Sequence, residues 1–363
     1  MQYFLGIDIG TYESKGVLTD KEGNVIASAT HPHKMLVPEP GWAEHRPEED
    51  WWNDFVKITK KILKASKINP DDISCIATSA IGPCMLPVSY EGDPLMNAVL
   101  YGVDTRAENE IRELNEEVGE EKILQNCGNA LTSQSVGPKI LWLKKNCPEI
   151  YKKAHKILSS TSYLVQKLTG ESVIDHYTAA NFTPLYDIKN LKWTDALTKN
   201  IIEIERLPKL MWTTEIAGYV SKVASKETGL ATGTPVTVGT IDAAAEAISV
   251  GVCSAGDMMM MYGSTIFIIQ VTNEKIIDGQ FMVLDKIVIE SFKTSDFILF
   301  LDNLNISRKK TLILVDSFQE NLILASRNIR NVFIENVKNV SVYDLMDSEI
   351  ILSDKVGFDT LYK

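Results

Sequence analysis

Three short apolar segments open the chain, and turn residues separate them. We predict strands over residues 4–9, 14–18 and 25–30, with turns at Gly10 and Thr11 and at residues 22–24. Because connections of this length join antiparallel neighbours, we expect the chain to open with an antiparallel meander.

A helical pattern begins at Pro47, a residue that is favoured at the first position of a helix. Apolar residues then recur on one face, with lysines on the opposite face: Trp51, Trp52, Phe55, Ile58, Ile62 and Leu63. Further helices are predicted over residues 105–118, 136–146 and 160–168. They alternate with short strands at 73–78 and 156–158, which predicts an α/β fold with mixed sheets.

The composition changes near residues 272–280. All six Trp, all 13 Pro and all five His precede Gly239, whereas Gly357 is the only glycine after Gly279. This shift predicts a boundary between two units. Beyond the boundary we predict a small parallel α/β layer. Its strands cover 283–288, 311–315, 331–334 and 349–352, and its helices cover 294–304, 319–326 and 342–346.

The net charge of −11 disfavours non-specific binding to nucleic acid, which depends on Lys and Arg neutralising phosphates. No apolar run reaches the roughly 18 residues that a membrane span needs, and the N-terminus lacks the pattern of a signal peptide. The five cysteines are scattered without CxxC spacing, which indicates reduced thiols rather than a zinc site or disulfides. We therefore expect a cytoplasmic protein with no membrane partner.

The first candidate site lies at the end of the first strand, where Asp8 precedes a tight turn at Gly10 and Thr11. Successive backbone N–H groups in such a turn form an anion nest, and a carboxylate beside it can hold a metal-bound water. This combination suits a polyphosphate. An ordinary hairpin with a turn-favouring glycine is the alternative, and the segment alone does not decide between them.

The second candidate is Asp242, which follows a strand and precedes a helix of small residues. We expect it to cap the helix N-terminus. Active groups of α/β sheets collect at such strand ends, and the helix dipole is expected to lower the pKa of Asp242 and keep it an ionised proton acceptor. From these residues alone, capping is the simpler interpretation.

The third candidate, residues 261–266, is a strand-turn-strand segment with Gly263, Ser264 and Thr265 at its bend. Its construction is similar to that of residues 8–14. Two such turns are suited to face each other across a phosphate chain.

Together these segments resemble the FGGY family of carbohydrate kinases over about residues 1–271. GIDIGTYESKGVL resembles the family's first phosphate motif, GTIDAAAEA its catalytic segment, and MYGST its second phosphate motif. PGWAEHRPEEDWW is similar to the segment leading into the first long helix, and NAVLYGVDTRA to a segment that supplies sugar contacts. The motifs occur in the family's order, which makes the resemblance specific.

The resemblance implies an actin-like ATPase fold, which is ribonuclease H-like, and transfer of phosphate from ATP to a hydroxyl of a sugar or polyol. Asp242 would accept the proton of the attacking hydroxyl, and Asp8 would hold Mg²⁺ through water. The implied ATP phosphate and magnesium residues are Asp8, Gly10, Thr11, Ser14, Lys15, Gly263, Ser264 and Thr265. The implied substrate contacts are Ser79, Ile81, Asp104, Arg106 and Asp242.

Two departures from the family pattern bear on the substrate. Ile81 stands where members acting on ketopentoses have an amide that contacts sugar, and Ala243 follows Asp242 where an amide is common. Loss of a buried polar contact removes discrimination between substrates. Xylulose is therefore not the expected substrate.

The resemblance ends near Val271, although the family's second lobe continues and builds the adenosine pocket. We therefore expect a truncated second lobe and impaired activity, because the remote base supplies binding energy that positions the phosphates. The predicted domains are a sugar-binding first lobe (1–215), the beginning of the second lobe (216–275) and a C-terminal α/β segment (276–363).

The C-terminal segment resembles the C-terminal part of ribosomal protein L-four from about residue 279. The clearest points of similarity are Glu320 with Asn321, residues 325–328 and residues 342–344. Acidic residues outnumber basic ones in this segment, which does not favour an independent RNA clamp.

Three interpretations of the whole chain follow. The favoured one is a carbohydrate kinase that uses ATP and Mg²⁺; the second is a ribosome-associated or rRNA-binding protein that acts through the C-terminal segment. The third is a composite reading frame that performs neither task. The expected partner is a small sugar or polyol rather than nucleic acid, and the sequence leaves open whether the chain is a monomer or a homodimer.

Overall fold

The computed structural model describes residues 2–262, 266–273, 280–284, 287, 289, 291–304, 306–341, 344–345 and 347–357. The chain divides into two compact units, Met1–Lys275 and Ile276–Lys363. This division falls inside the segment 272–280, where the composition changes. The further division of the first unit at residue 215 stays a prediction.

The strands of the first unit are mostly short. In chain order they are β1 (Tyr3–Ile9), β2 (Glu13–Asp20), β3 (Val25–Pro32), β4 (Glu44–His45), β5 (Ile73–Ala80), β6 (Leu86–Val88), β7 (Ala98–Val99), β8 (Lys156–Leu158), β9 (Val173–Asp175), β10 (Tyr186–Asp187), β11 (Lys192–Trp193), β12 (Lys209–Met211), β13 (Ile216–Tyr219), β14 (Pro235–Thr237), β15 (Thr240–Ile241), β16 (Met258–Tyr262) and β17 (Ile266–Gln270).

The helices of the same unit lie between these strands. They are α1 (Asn53–Ser66), α2 (Glu108–Val118), α3 (Glu120–Cys127), α4 (Val136–Asn146), α5 (Pro148–Lys153), α6 (Ser160–Thr169), α7 (His176–Ala180), α8 (Lys222–Thr228) and α9 (Asp242–Ser249). A π-helical turn, Pro47–Trp52, leads into α1. Among the described residues, no helix is both long enough and apolar enough to cross a bilayer.

The main sheet of the first unit has the order β13-β14-β5-β1-β2-β3, and β15 also pairs with β5. Strands β1, β2 and β3 are antiparallel, as predicted. Strands β1, β14 and β15 pair with β5 in parallel. The C-terminal ends of β1, β5 and β15 therefore meet at one edge of the sheet, which we call the β1–β5–β15 edge.

Helix α1 covers the face of the sheet to which β1 contributes Ile7 and Ile9. Both isoleucines are buried together with Phe55 and Ile58 of the helix. Strand β2 approaches this helix so closely that a Cβ added at Gly16 would lie 2.4 Å from Cγ2 of Ile58. This packing fixes which side chains of β1 and β2 face inward and which face outward.

The second unit contains β18 (Gln280–Leu284), α10 (Thr294–Asn303), β19 (Thr311–Val315), α11 (Glu320–Ser326), β20 (Val332–Asn336) and β21 (Ile350–Asp354). Its sheet has the order β18-β21-β19-β20, and all three pairings are parallel, as predicted. Phe297 and Leu301 of α10 pack against Ile313 and Leu352 of the sheet.

Some predicted boundaries differ from the observed ones. The helix predicted from residue 105 begins at Glu108, because Asp104 and Arg106 are engaged in a side-chain network described below. The strand predicted over 283–288 is observed as Gln280–Leu284, and residues 285, 286 and 288 lie outside the described part of the chain. Most of the helix predicted over 342–346 also lies outside it.

Gly239 connects β14 to β15 in a backbone conformation that other residues adopt only at a cost. Its φ is +70°, and an added Cβ would lie 2.2 Å from the carbonyl oxygen of Thr78. We expect Gly239→Ala to lower the free energy of unfolding by about 2 kcal/mol or more. Urea denaturation followed by tryptophan fluorescence measures this for the first unit alone, because all six tryptophans precede Gly239.

The matched control for this substitution is Gly233→Ala. Gly233 has a φ of +89°, but its added Cβ would have no atom of the described residues within 4 Å apart from its own chain neighbours. The control should therefore lose only the conformational cost of roughly 1 kcal/mol. Equal losses in the two variants would show that the close approach to Thr78 does not constrain position 239.

Candidate active site

Asp8 belongs to a polar row that crosses the β1–β5–β15 edge. It is in register with Lys15 on β2 and with Ser79 on β5, and Ser79 is in register with Thr240 on β15. Side chains in register on neighbouring strands lie on the same face of a sheet. The row therefore lies on the face opposite α1, because Ile9, one residue beyond Asp8, is buried against that helix.

Burial raises the pKa of Asp8, while the Ser79 hydroxyl and the charge of Lys15 oppose the shift. Among the described residues, the Ser79 hydroxyl is the group that interacts with the Asp8 carboxylate, and the buried Oδ1 of Asp8 has no hydrogen bond of ordinary geometry. A buried carboxylate oxygen without a partner is costly, and oxygen is the ligand that Mg²⁺ prefers. The residues around Asp8 thus fit a hydrated divalent cation.

The turn between β1 and β2 is closed by a hydrogen bond from the Gly10 N–H to the carbonyl of Glu13, at 3.1 Å. An added Cβ at Gly10 would lie 2.8 Å from that carbonyl oxygen. Glycine is therefore required here by the close approach of the backbone. The Thr11 hydroxyl lies at the same turn, 3.3 Å from the Tyr101 hydroxyl.

Ser14, which was expected to contact phosphate, faces the opposite way. Its side chain is fully buried, and its hydroxyl donates to Oδ2 of Asp54 at 2.9 Å. The reason is the alternation along β2, which directs Lys15 to the Asp8 face and Ser14 to the α1 face. Ser14 is thus part of the support behind the turn rather than part of its open face.

Asp242 is the first residue of α9, directly after β15, and its Oδ1 accepts the N–H of Ala243 at 2.7 Å. The expectation that it caps the helix is wrong, because Ile241 occupies the N-cap position. Burial raises the pKa of Asp242 to about 7, opposed by the Ala243 N–H and increased by the charges of Asp8 and Glu246. The expected lowering by the helix dipole is therefore outweighed by burial.

The raised pKa of Asp242 predicts how this residue contributes to the pH dependence of stability. The folded state binds the Asp242 proton more tightly than the unfolded state, so the contribution of Asp242 to stability is greatest at low pH and falls as pH rises from about 4 to 7. Asp242→Asn should remove this fall and be more stable than the wild type at pH 8. After discounting for solvent screening, we expect a gain of about 1 to 2 kcal/mol.

Urea denaturation of the wild type and Asp242→Asn at pH 5 and pH 8 measures this difference. The gap between the two proteins should be larger at pH 8 than at pH 5. A gap that is the same at both pH values would show that Asp242 titrates normally.

Arg106 lies in a closed network rather than on an open surface. Its guanidinium donates to Asp104 from Nε at 2.9 Å and to Glu44 from Nη2 at 2.9 Å, and its side chain is fully buried. It also lies 4.0 Å from the ring centroid of Trp42 and 5.0 Å from that of Trp142. Cation–π contacts of this kind stabilise a buried guanidinium.

This network changes the expected roles of Asp104 and Arg106. Asp104 accepts the Ala43 N–H at 2.7 Å in addition to its bonds with Arg106, so both of its oxygens are engaged within the protein. Asp104 therefore holds Arg106, and a sugar contact of either residue stays a prediction. Nη1 of Arg106 has no hydrogen-bond partner among the described residues, but the whole side chain is buried.

Ile81, expected among the substrate contacts, is a core residue. It is only 1% exposed, and its N–H donates to the carbonyl of Ile9 at 2.7 Å. It follows directly after β5, where the neighbouring Gly82 leaves no room for a side chain against Ile241. Ser79, two residues earlier, lies in the polar row instead.

Lys139 was missed by the sequence analysis. It is a fully buried lysine that donates to the carbonyl of Tyr101 at 2.9 Å, and burial lowers its pKa to about 8, opposed by the charge of Asp104. The available signal was a single lysine inside the apolar run of α4. Burial raises the pKa of the Cys84 thiol to about 12; the charge of Lys139 opposes this shift and that of Asp242 adds to it.

Tyr177 was also missed. The charges of Asp175 and Asp242 add to the effect of burial in raising the pKa of its hydroxyl. Asp175 caps α7 and accepts the Thr240 hydroxyl at 2.9 Å, which links α7 to the β1–β5–β15 edge. The other predicted phosphate residues, Gly263, Ser264 and Thr265, lie outside the described residues.

The first unit is therefore a mixed α/β domain with a polar site at the β1–β5–β15 edge. Its two acidic side chains, Asp8 and Asp242, lie where parallel strands end. The model of the FGGY family of carbohydrate kinases, N-terminal domain, matches residues 3–249. The chain belongs to this family. The resemblance stated from the motifs is thereby confirmed.

Known members of the family show how far the similarity extends. The chain is 33% identical over 227 residues to a glycerol kinase of Thermococcus gammatolerans, covering 61% of this chain and 45% of that protein. A xylulose kinase structure from Rhodospirillum rubrum has a TM-score of 0.68 and 28% identity, covering 72% of this chain and 53% of that one. The Plasmodium falciparum glycerol kinase with ADP has a TM-score of 0.66 and 26% identity, covering 74% and 54%.

These matches confirm the predicted actin-like ATPase fold of the sugar kinases for the matched part of the chain. The chain spans about half the length of the curated relatives it matches. A second model, that of the ribosomal protein L4/L1 family, matches residues 268–363.

Proposed function

We propose that the chain transfers the γ-phosphate of ATP to a hydroxyl group of a sugar or polyol. The observation that carries this proposal is the pair Asp8 and Asp242 at the β1–β5–β15 edge, close enough for the charge of Asp8 to raise the pKa of Asp242. Phosphoryl transfer depends on positioning and on electrostatic stabilisation. Asp8 is the carboxylate we assign to the metal, and Asp242 is the one we assign to the proton of the attacking hydroxyl.

In this proposal Asp242 accepts the proton of the attacking hydroxyl. A pKa of about 7 suits this task, because a general base works best when its pKa is near the operating pH. Asp8 would hold Mg²⁺ through water, and the metal when bound neutralises negative charge on the phosphates. The turn at Gly10 and Thr11, together with Lys15, would bind the phosphate oxygens.

The substrate class is proposed from the relatives. The relatives are named as glycerol and xylulose kinases, so a polyol or ketose is the proposed substrate. Ser79 is the side chain we assign to it, because it is in register with Asp8 and with Thr240 at the edge where Asp242 follows β15. Ile81 offers no polar contact, which supports a substrate other than xylulose.

The test of this proposal is release of ADP from ATP and Mg²⁺ over a panel of polyols, ketoses and aldoses. We expect stimulation by at least one member of the panel and loss of that stimulation in EDTA. Absence of stimulation by every compound would contradict the proposed activity. The cytoplasm is the proposed location, because five scattered cysteines without CxxC spacing suit a reducing compartment.

The role of Asp8 predicts a change in metal dependence. Asp8→Asn keeps the size of the side chain but removes its charge, so the Mg²⁺ concentration for half-maximal activity should rise by about tenfold or more. A magnesium titration of ADP release measures this. The control is Asp20→Asn, at the far end of β2, where Asp20 binds Asn24. An unchanged Mg²⁺ requirement in Asp8→Asn would exclude a metal role for Asp8.

A second candidate function is binding of structured RNA by the unit Ile276–Lys363, which is favoured by the match to the ribosomal protein L4/L1 family. RNA binding through phosphate contacts weakens steeply as salt rises. Retention of the full chain on immobilised rRNA at 50 mM salt, with release at 200 mM, would support this function. No retention at low salt would exclude it.

A further inference from the structure

The turn between β1 and β2 is held from behind by two histidines. The Gly10 carbonyl accepts a hydrogen bond from Nε2 of His33 at 3.0 Å, and the Thr11 carbonyl accepts one from Nε2 of His45 at 3.1 Å. The Tyr12 carbonyl accepts the backbone N–H of His33 at 2.9 Å. The carbonyl groups of Gly10, Thr11 and Tyr12 therefore all bind hydrogen-bond donors of His33 or His45.

These carbonyl contacts decide where the N–H groups of the turn point. A trans peptide unit holds its C=O and N–H groups antiparallel, and the peptide bonds of this turn are trans. The N–H groups of Thr11, Tyr12 and Glu13 therefore point away from the histidines. Successive N–H groups that share one direction form a concave site for anions.

His33 makes hydrogen bonds from both of its ring nitrogens. Besides the bond from Nε2 to Gly10, its Nδ1 lies 3.0 Å from Oδ2 of Asp54. Nδ1 is also 3.3 Å from the Ser14 hydroxyl, which itself donates to Asp54. A carbonyl, a carboxylate and a hydroxyl that has already donated its proton all act as acceptors. Both nitrogens of His33 must then carry a proton, which makes the ring an imidazolium.

The ion pair between His33 and Asp54 is buried, with side-chain exposures of 3% and 1%. A buried charge is stable only when it is paired and hydrogen-bonded, and the contacts to Gly10, Ser14 and Asp54 meet this condition. The pair ties the turn to α1, the helix that carries Asp54. It therefore connects the backbone of the turn to a rigid element.

His45 has the opposite protonation state. Its Nδ1 accepts the indole N–H of Trp51 at 3.0 Å, and indole nitrogen acts only as a donor. The proton of His45 must therefore be on Nε2, the nitrogen that donates to Thr11. Burial lowers the pKa of His45 to about 4, and the positive charge of the neighbouring His33 acts in the same direction.

We propose that His33 is a positioning residue for phosphate binding: as an imidazolium held by Asp54, it fixes the Gly10 carbonyl and so aims the turn N–H groups at the Asp8 side. We call His33 and His45 the histidine brace. His45 assists at Thr11 as a neutral donor. This inference rests on the proposed function, because it takes the anion at the turn to be a phosphate of ATP.

Other charged groups reach the same carboxylate. Nδ1 of His31 on β3 lies 2.9 Å from Oδ1 of Asp54, and Nζ of Lys57 on α1 lies 3.8 Å from it. Asp54 is thus shared by three cationic or titratable side chains.

The first measurement needs no nucleotide and uses the full chain. In ¹⁵N-histidine NMR spectra at pH 7, His33 should carry a proton on both ring nitrogens, whereas His45 should carry one on Nε2 only. In His33→Gln, the backbone amides of Thr11 and Tyr12 should gain mobility. A singly protonated His33 in the wild type, or turn amides unchanged by the substitution, would overturn the inference.

The second measurement is calorimetric binding of Mg·ATP. His33→Gln should weaken affinity by about tenfold, which corresponds to loss of one hydrogen bond from a charged group. The matched control is His31→Gln, which also loses a contact to Asp54 but none to the turn, and its affinity should stay within about twofold of the wild type.

The NMR and calorimetric measurements together distinguish failure of the proposed function from failure of the positioning role of His33. If the NMR spectra agree with the histidine brace but the wild type does not bind Mg·ATP, the proposed function fails and the phosphate role of His33 fails with it. If the wild type binds Mg·ATP and His33→Gln binds equally well, the positioning role alone is overturned. Equal weakening in His31→Gln and His33→Gln would assign the effect to Asp54 and the packing around it.

Discussion

Replacing Asp242 with asparagine is expected to lower the rate of phosphoryl transfer by roughly a hundredfold to ten-thousandfold, the range attributed to a general base. Asparagine keeps the size of the side chain and a carbonyl oxygen that can accept the Ala243 N–H, so the start of α9 should stay intact. What is lost is the ability to accept a proton. The expected result is a large decrease in kcat with a smaller change in KM.

Release of ADP with the best substrate of the panel, measured from pH 5 to pH 9, is the appropriate assay. The wild-type rate should rise as pH increases through about 7, because only ionised Asp242 accepts a proton. The control is Glu246→Gln, one turn further along α9, which removes an exposed carboxylate whose charge adds to the raised pKa of Asp242; its maximal rate should be kept, and its rate should begin to rise at a lower pH. A residual rate in Asp242→Asn close to that of the wild type would show that another group accepts the proton.

Stability measurements distinguish loss of the proposed base from loss of the folded structure. Asp242→Asn should be inactive yet more stable than the wild type at pH 8, because the charged form of Asp242 is penalised by burial. Loss of activity through unfolding would lower stability instead. A variant that is both less active and less stable would therefore argue for a structural role.

Removing Asp104 is expected to have the largest effect on stability. Asp104→Ala leaves the buried guanidinium of Arg106 with Glu44 as its remaining carboxylate partner, and breaking a buried ion pair from one side costs roughly 3 to 5 kcal/mol. The Ala43 N–H also loses its acceptor. Urea denaturation followed by tryptophan fluorescence should show the loss directly, since Trp42 and Trp142 flank Arg106.

Two comparisons test the physical reason for that loss. Glu149→Ala breaks the solvent-exposed pair with Lys152 and should change stability by less than about 1 kcal/mol. The double variant Asp104→Ala with Arg106→Met removes both charges, so it should cost less than the sum of the two single substitutions. Additive losses would mean that the two side chains do not act as a pair.

The elements with strong local signals were predicted well. The three opening strands, helix α4 over Val136–Asn146 and the parallel sheet of the second unit match their predictions. Each combines a clear apolar pattern with turn residues at its ends, and such patterns depend on neighbouring residues only. The strand predicted to end at residue 78 continues to Ala80, because pairing with β1 and β15 extends it.

The candidate site was predicted in part. Asp8, Lys15, Ser79 and Asp242 lie at one edge, where parallel strands from distant parts of the sequence end. Ser14 and Ile81 occupy the expected motif positions, but their side chains are buried in the core. Lys139 gave only a weak signal, because a lysine within an apolar run is ordinarily interpreted as a surface residue.

The class of fold could be predicted from the hydrophobic period, and the family from the resemblance of its motifs, because both are carried by short stretches of the chain. The raised pKa of Asp242, the closed network around Arg106 and the contacts of His33 with the turn could not be predicted in this way. These properties depend on burial and on groups such as Asp54 and Glu44 that are remote in sequence. A pKa or a hydrogen-bond partner is set by what surrounds a group in space.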